Sequence, residues 1–125
     1  MNIACGTDII EIERIKYAIS SDVGEKFIQR IYTKKEIEYC ESKNIQKFQH
    51  YAARFAAKEA IFKALSKELE NKYNIEWKQI EILNDENGRP YCIIDNEISS
   101  KIENIDVSIS HCKKYATTNA IIIFK

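Results

Sequence analysis

The sequence predicts an α+β domain, with a long central helix and shorter helices packed on an antiparallel sheet. Three observations predict it. A strand-like run opens the chain. Apolar residues at helical spacing fill the middle, with the clearest pattern between Gln46 and Glu70. Strand-like alternation then takes over from Trp77 to the end, broken by Asn87-Gly88. At 125 residues the chain is expected to be a single domain spanning 1–125.

The elements follow in order. Ile3 to Asp8 reads as a strand. Ile9 to Ser20 carries Ile12, Ile15 and Ile19 at helical spacing, and Phe27 to Tyr32 is a second short helical stretch. Thr33 followed by Glu36 matches a capping box, so a third helix is expected to run to about Lys43. Phe48, Ala52, Phe55, Phe62 and Leu69 recur at steps of three, four or seven, the apolar stripe of a long helix on a core. Trp77 to Leu83 and Tyr91 to Asp95 read as strands joined by a turn at Asn84 to Arg89, because Asn-Gly between such runs favours a hairpin. Ile105, Val107 and Ile109 alternate with polar residues, and Ala116 to Phe124 makes a final isoleucine-rich strand.

Composition excludes several classes. Nineteen basic residues balance nineteen acidic ones, whereas nucleic-acid binders carry a basic excess, so no nucleic-acid partner is expected. No apolar run reaches the length of a membrane span, and MNIACGTDII lacks the basic lead of a signal peptide. The expected location is cytoplasmic, with no membrane partner. Cys5, Cys40, Cys92 and Cys112 show no C-x-x-C spacing, and His50 and His111 form no H-x-x-x-H. Four reduced, buried or half-buried thiols are expected rather than a zinc site.

Two acids stand out. Glu59 falls between Phe55 and Phe62, where the stripe calls for an apolar residue. A carboxylate there is costly unless it is paired or holds a cation. One reading is an ion pair with Lys63 one turn on; the other is a metal ligand or catalytic carboxylate with Lys63 beside it. Asp8 follows Gly6-Thr7 at the expected strand end, as a helix cap or as a second acid. Two carboxylates from different elements form a hard oxygen site of the kind magnesium takes. Arg54 and Lys58, at i and i+4, together with Lys63, read either as a solvated face or as anchors for a phosphorylated ligand. Ser108-Ile-Ser-His111 is a strand with one wet face; Ser110 and His111 point to opposite sides, which disfavours a hydrolase triad. Glycine-rich phosphate loops are absent from the sequence.

The segments Gly6-Thr-Asp8-Ile-Ile-Glu11-Ile-Glu-Arg14, Arg54-Phe-Ala-Ala-Lys58-Glu59-Ala-Ile-Phe-Lys63-Ala and Ser108-Ile-Ser-His111, with Asn87-Gly-Arg-Pro90-Tyr between the last two, resemble the holo-acyl-carrier-protein synthase family of short 4′-phosphopantetheinyl transferases. The resemblance implies the fold of those enzymes. It also implies transfer of 4′-phosphopantetheine from coenzyme A to a serine of an acyl carrier protein, in support of fatty acid biosynthesis. Carried over by motif, Asp8 and Glu59 would hold Mg2+, and Lys63 would stabilise the coenzyme A diphosphate. Arg54, Lys58, Ser110 and His111 would contact the donor, and Arg89 and Pro90 would line its nucleotide edge. The base for the serine proton stays open between Glu59 and a water on the cation. A homotrimer with interfacial active sites is implied, as is a basic first helix, through Arg14 and Lys16, docking the acidic carrier protein. A magnesium-dependent phosphohydrolase and a non-catalytic α+β binding module are the competing readings.

Overall fold

The computed structural model describes residues 1–71 and 74–125. Strand β1 (Asn2–Glu11) leads into helices α1 (Ile12–Ser20), α2 (Gly24–Ile31), α3 (Lys34–Glu41) and α4 (Lys47–Leu65). A short 3-10 turn then precedes strands β2 (Ile80–Asn84) and β3 (Pro90–Ile94). Strands β4 (Ile102–His111) and β5 (Tyr115–Phe124) close the chain. The α+β expectation holds. The strands, however, form two sheets. β1 pairs antiparallel with β5, which pairs antiparallel with β4, while β2 and β3 make a separate hairpin.

Strand β1 runs past the expected Asp8 boundary, because Ile9, Ile10 and Glu11 stay in register with Thr117, Ala116 and Tyr115. Helix α1 therefore starts at Ile12, and Asp8 is no helix cap. It lies within a strand, opposite Thr118. The capping box is present as expected: Glu36 N donates to Thr33 Oγ1, and Thr33 N donates to Glu36 Oε1. The β2–β3 connection is longer than a two-residue Asn-Gly turn. Asp85 Oδ1 accepts from the backbone N–H of Asn87 at 2.8 Å and of Arg89 at 2.9 Å, and Gly88 takes a φ of 82°, a left-handed value that glycine adopts without strain. Trp77, expected to open a strand, sits instead in a 3-10 turn over 77–79.

Helix α4 is shorter than Gln46–Glu70 and is buried nearly all round. The aromatic stripe marks its margins: Phe48, Phe55 and Phe62 are half-buried, whereas alanines 52, 53, 56, 57, 60 and 64, with Ile61 and Leu65, are enclosed. Two apolar clusters explain this. One joins α4 to β1, β2, β4 and β5 through Ala57, Ile61, Ile82 and Ile122. The other joins it to α1, α2 and α3 through Ala53, Ile15, Ile31 and Tyr32. A helix sandwiched on both flanks has no single apolar stripe to display.

Gly6 is where β1 crosses α4. A Cβ there would overlap the Ala60 carbonyl oxygen and lie 2.9 Å from the Ala64 amide nitrogen, and both neighbours are backbone. Gly6→Ala is expected to lose about 3 kcal/mol, the upper end of overpacking costs, since helix backbone cannot step aside. The urea midpoint at unchanged m-value measures it.

The outer face of the three-stranded sheet carries Ile3, Ile9 and Ile121, which are 51%, 66% and 50% exposed, and Cys5 is exposed between them. Cys112 is also exposed, so two of the four thiols depart from the buried expectation. Cys40 is buried and Cys92 half-buried, and burial pushes both thiols up to about 12. No helix among the described residues is long and apolar enough to cross a membrane.

Candidate active site

Asp8 reaches the site from β1, and Glu59 and Lys63 from one side of α4, one turn apart. Residues alternate across β1, so Ala4, Gly6, Asp8 and Ile10 share its inner side, toward α4. The close crossing at Gly6 brings Asp8 within reach of α4: Lys63 Nζ donates to Asp8 Oδ1 at 3.2 Å and to the Thr7 carbonyl at 2.9 Å. The expected Glu59–Lys63 pair is not what forms. Lys63 turns to Asp8, and among the described residues no cationic group lies within 4 Å of Glu59. Burial and the Asp8 charge raise the affinity of Glu59 for its proton, with Lys63 acting in the opposite direction. The site thus holds a partly desolvated carboxylate beside a like charge, an arrangement that a cation relieves. Asp8 and Glu59 line one groove with Arg14, Phe27 and Phe55. Among the described residues no cluster of three His, Cys, Asp or Glu side chains surrounds them. Two hard oxygen ligands leave most coordination positions to water and phosphate, which fits magnesium rather than zinc.

On its other side, Glu59 borders a cavity of about 680 Å3 walled by Phe62, Ile75, Trp77 and Ile80, with Arg30 and Lys78 also on its lining. The Trp77 ring stacks on Phe55 at 5.1 Å, and Phe55 on Phe27 at 6.3 Å. The sequence reading placed Phe55 and Phe62 in the helical stripe and Trp77 at a strand start, and none of them at a site. The one available signal was the single tryptophan, standing where the helical pattern gives way to strands.

Lys58 lines the floor of this cavity, but its ammonium is turned to internal partners. Its ammonium is fully buried, 2.7 Å from Glu36 Oε1, and donates to the Trp77 and Ile80 carbonyls at 3.0 and 2.5 Å. Burial pulls it below the ordinary lysine value, with Glu36 pulling it back up. With every donor engaged, it is a structural cation and not a phosphate anchor; residue 58 falls on the enclosed side of α4. Arg54 is also buried, 3% exposed. Its Nη2 donates to Asn84 Oδ1 at 2.5 Å, its guanidinium lies 4.1 Å from the Tyr39 ring centroid, and its Nε has no partner among the described residues. Around it gather Lys43, 4.7 Å from the same ring, and His50, whose pKa is lowered to about 4 by burial and by Arg54, Lys43 and His111. His111 ends β4 against this cluster, bonded to Gln49 and 6.2 Å from the His50 ring.

The remaining expected residues lie elsewhere. Arg89 Nη2 donates to both carboxylate oxygens of Asp106 at 3.0 and 2.9 Å, both residues exposed, and Pro90 opens β3 opposite Asn84. Ser110 is exposed in β4, opposite Thr117. Within one chain, then, Lys63 stands at Asp8 and Lys58 lines the cavity beside Glu59, while Arg54, His111, Arg89, Pro90 and Ser110 fall elsewhere. Of the first-helix residues, Arg14 reaches the Asp8 groove, and Lys16 lies 5.7 Å from the Phe48 ring centroid.

Residues 4–120 match the profile of the 4′-phosphopantetheinyl transferase superfamily. A holo-[acyl-carrier-protein] synthase of Ruminiclostridium cellulolyticum is 44% identical over 127 residues, covering 98% of this chain and 92% of that protein. The chain belongs to the holo-acyl-carrier-protein synthase family. Another family member, from Protochlamydia amoebophila, is 42% identical over 97% of this chain and 98% of its own length. Among solved structures, the Bacillus anthracis synthase in complex with CoA (3′,5′-ADP) is 31% identical with a TM-score of 0.77, covering 95% of this chain and 94% of that one. The Helicobacter pylori synthase in complex with coenzyme A is 27% identical with a TM-score of 0.79, covering 97% and 99%. In this chain the acid that meets α4 is carried by β1, the edge strand paired with β5.

Proposed function

We propose that the chain is a holo-acyl-carrier-protein synthase that transfers 4′-phosphopantetheine from coenzyme A to a serine hydroxyl of an apo acyl carrier protein. The serine oxygen forms a bond to the phosphorus bearing pantetheine, and the bond from that phosphorus to the bridging diphosphate oxygen breaks. Adenosine 3′,5′-bisphosphate leaves, and the serine proton passes to a base. The observation that carries this reading is the pairing of Asp8 with Glu59, coupled by charge, with Lys63 held at Asp8. Asp8 and Glu59 would hold Mg2+, which when bound neutralises diphosphate charge. Lys63, half-exposed and fixed by the Thr7 carbonyl, sets a positive charge where diphosphate oxygens would gather. The base for the serine proton is read as Glu59 or a water on the cation, since Glu59 is partly desolvated and borders the site.

The cluster of Arg54, Lys43, His50 and His111 is read as an anion subsite for the donor's phosphates. It has positive charge, a guanidinium Nε without a partner, and no salt-bridged acid among the described residues. Because it is separate from Asp8 and Glu59 in one chain, complete sites are read as forming between copies in a homotrimer. The exposed apolar outer face, with Ile3, Ile9 and Ile121, supports that assembly, since a stripe of this kind is normally covered. Arg14, in the Asp8 groove, is read with Lys16 as part of the surface that meets the acidic carrier protein in the cytoplasm.

Asp8→Asn tests the cation assignment. Half the ligand charge is removed while the Lys63 hydrogen bond survives. Magnesium affinity by calorimetry, in the presence of coenzyme A, is expected to fall about tenfold or more, and chelation of divalent cations is expected to abolish transfer by the unaltered protein. An Asp8→Asn protein that binds magnesium as before refutes the assignment.

A further inference from the structure

The cavity beside Glu59 has one wall, residues 77–79, that lies just outside the sheet pairing, which begins at Ile80. Residues 77–79 form a 3-10 turn, joined to the rest of the fold through few backbone bonds: Gln79 N donates to the Glu76 carbonyl at 3.0 Å, and the Gln79 carbonyl accepts from Asp95 N at 2.8 Å. Besides the Trp77–Phe55 stack, this wall is tied to α4 by the ion pair buried beneath it. Glu36 and Lys58 are both fully enclosed. The Glu36 carboxylate accepts from Lys58 at 2.7 Å, from the backbone N–H of Thr33 at 2.8 Å and from that of Ile82 at 2.9 Å. The Lys58 ammonium uses its other donors on the carbonyls of Trp77 and Ile80, at 3.0 and 2.5 Å. The start of α3, the middle of α4 and the wall segment therefore meet at one ammonium. That ammonium belongs to the residue preceding Glu59, and the wall carries Trp77, whose ring is stacked on Phe55 one turn before Glu59.

A pair needed only for stability has a simpler alternative, because a buried ion pair is often no more stabilising than apolar side chains of the same size. An apolar pair, however, cannot hold two carbonyls of a neighbouring turn. We infer that Glu36 and Lys58 are positioning residues: through Lys58, Glu36 sets the Trp77–Ile80 wall against α4 and so fixes the shape of the cavity into which the donor reaches beside Glu59. The inference rests on the transferase reading for its kinetic consequence and on geometry alone for its structural one.

The test uses the full-length protein and its single tryptophan, Trp77. In Glu36→Gln/Lys58→Met both charges go together, so neither is left buried alone, and the glutamine oxygen still accepts from one of the Thr33 and Ile82 N–H groups, which use different oxygens of Glu36. The double variant is expected to fold, by circular dichroism. Acrylamide quenching of Trp77 is expected to rise about twofold, with KM for coenzyme A rising about tenfold and kcat staying within about threefold, the pattern of weakened donor binding rather than lost chemistry. Glu36→Asp keeps the charge and shortens the reach, and it is expected to move both readouts in the same direction by a smaller amount. A folded double variant, or a folded Glu36→Asp, with unaltered quenching and unaltered KM overturns the inference. If the unaltered protein transfers nothing, the transferase reading fails, and the quenching measurement still decides whether the pair positions the wall.

Discussion

Glu59→Gln is expected to lower the rate of phosphopantetheine transfer by about a thousandfold, the scale on which preorganised charge acts in active sites, without lowering stability. The two halves of this expectation have one cause. Glu59 is half-buried, has no salt-bridge partner among the described residues, and faces the charge of Asp8, so its carboxyl holds its proton above the usual range. For a carboxyl raised in this way, the folded state carries a penalty once the pH exceeds the folded value, because it must then hold a charge that the unfolded chain holds in water. A neutral amide removes that penalty at neutral pH, so the midpoint of thermal unfolding should stay level or rise. Catalysis loses both a cation ligand and a candidate base. A protein in which Glu59 served only the fold would show the reverse: lower stability with activity preserved. Single-turnover rates at saturating magnesium, measured beside a thermal melt, separate the two.

Lys58→Met is expected to be the most destabilising single change at a charged position, costing about 3–5 kcal/mol, because it leaves the Glu36 carboxylate buried without its cation. Set against a typical total of about 5–15 kcal/mol, such a loss leaves little folded protein at elevated temperature. The contrast with Lys63 is instructive. Lys63 is half-exposed, and its bridge to Asp8 is partly solvated, so its removal should affect transfer far more than folding. Denaturant titrations of the two variants, run side by side, check the ordering. Near-wild-type stability for Lys58→Met would mean that the buried pair is not formed in solution.

The two lysines show what was legible in the sequence. Both lie in one motif, five residues apart, and nothing in the spacing distinguishes a ligand-facing ammonium from an internal one. The difference comes from the second apolar cluster. With α1, α2 and α3 on one flank and the sheet on the other, α4 encloses residues 54 and 58 and leaves 59 and 63 at a margin. That partition depends on packing between elements distant in the chain. For the same reason the aromatic stripe was legible as a pattern yet marked the edge of the core, while alanines, which carry little signal, formed its centre.

Local signals fared better. The Thr33–Glu36 capping box, the turn at Gly88 and the order of elements all follow from contacts within a few residues. Asp8 was legible as an acid beside a glycine. Its role in a strand rather than at a helix start was not, because the strand is extended by pairing with β5, more than 100 residues away. Glu36 illustrates both cases: one carboxylate oxygen does the capping that the sequence announces, and the other oxygen bonds Ile82, which no local pattern reveals.

The central claim is group transfer to a carrier protein, and the mass of that carrier after reaction tests it most directly. Apo acyl carrier protein incubated with this protein, coenzyme A and magnesium should gain the mass of one phosphopantetheine, matched by one equivalent of adenosine 3′,5′-bisphosphate. A carrier of unchanged mass, with coenzyme A either intact or cleaved whether or not carrier is present, would contradict the account.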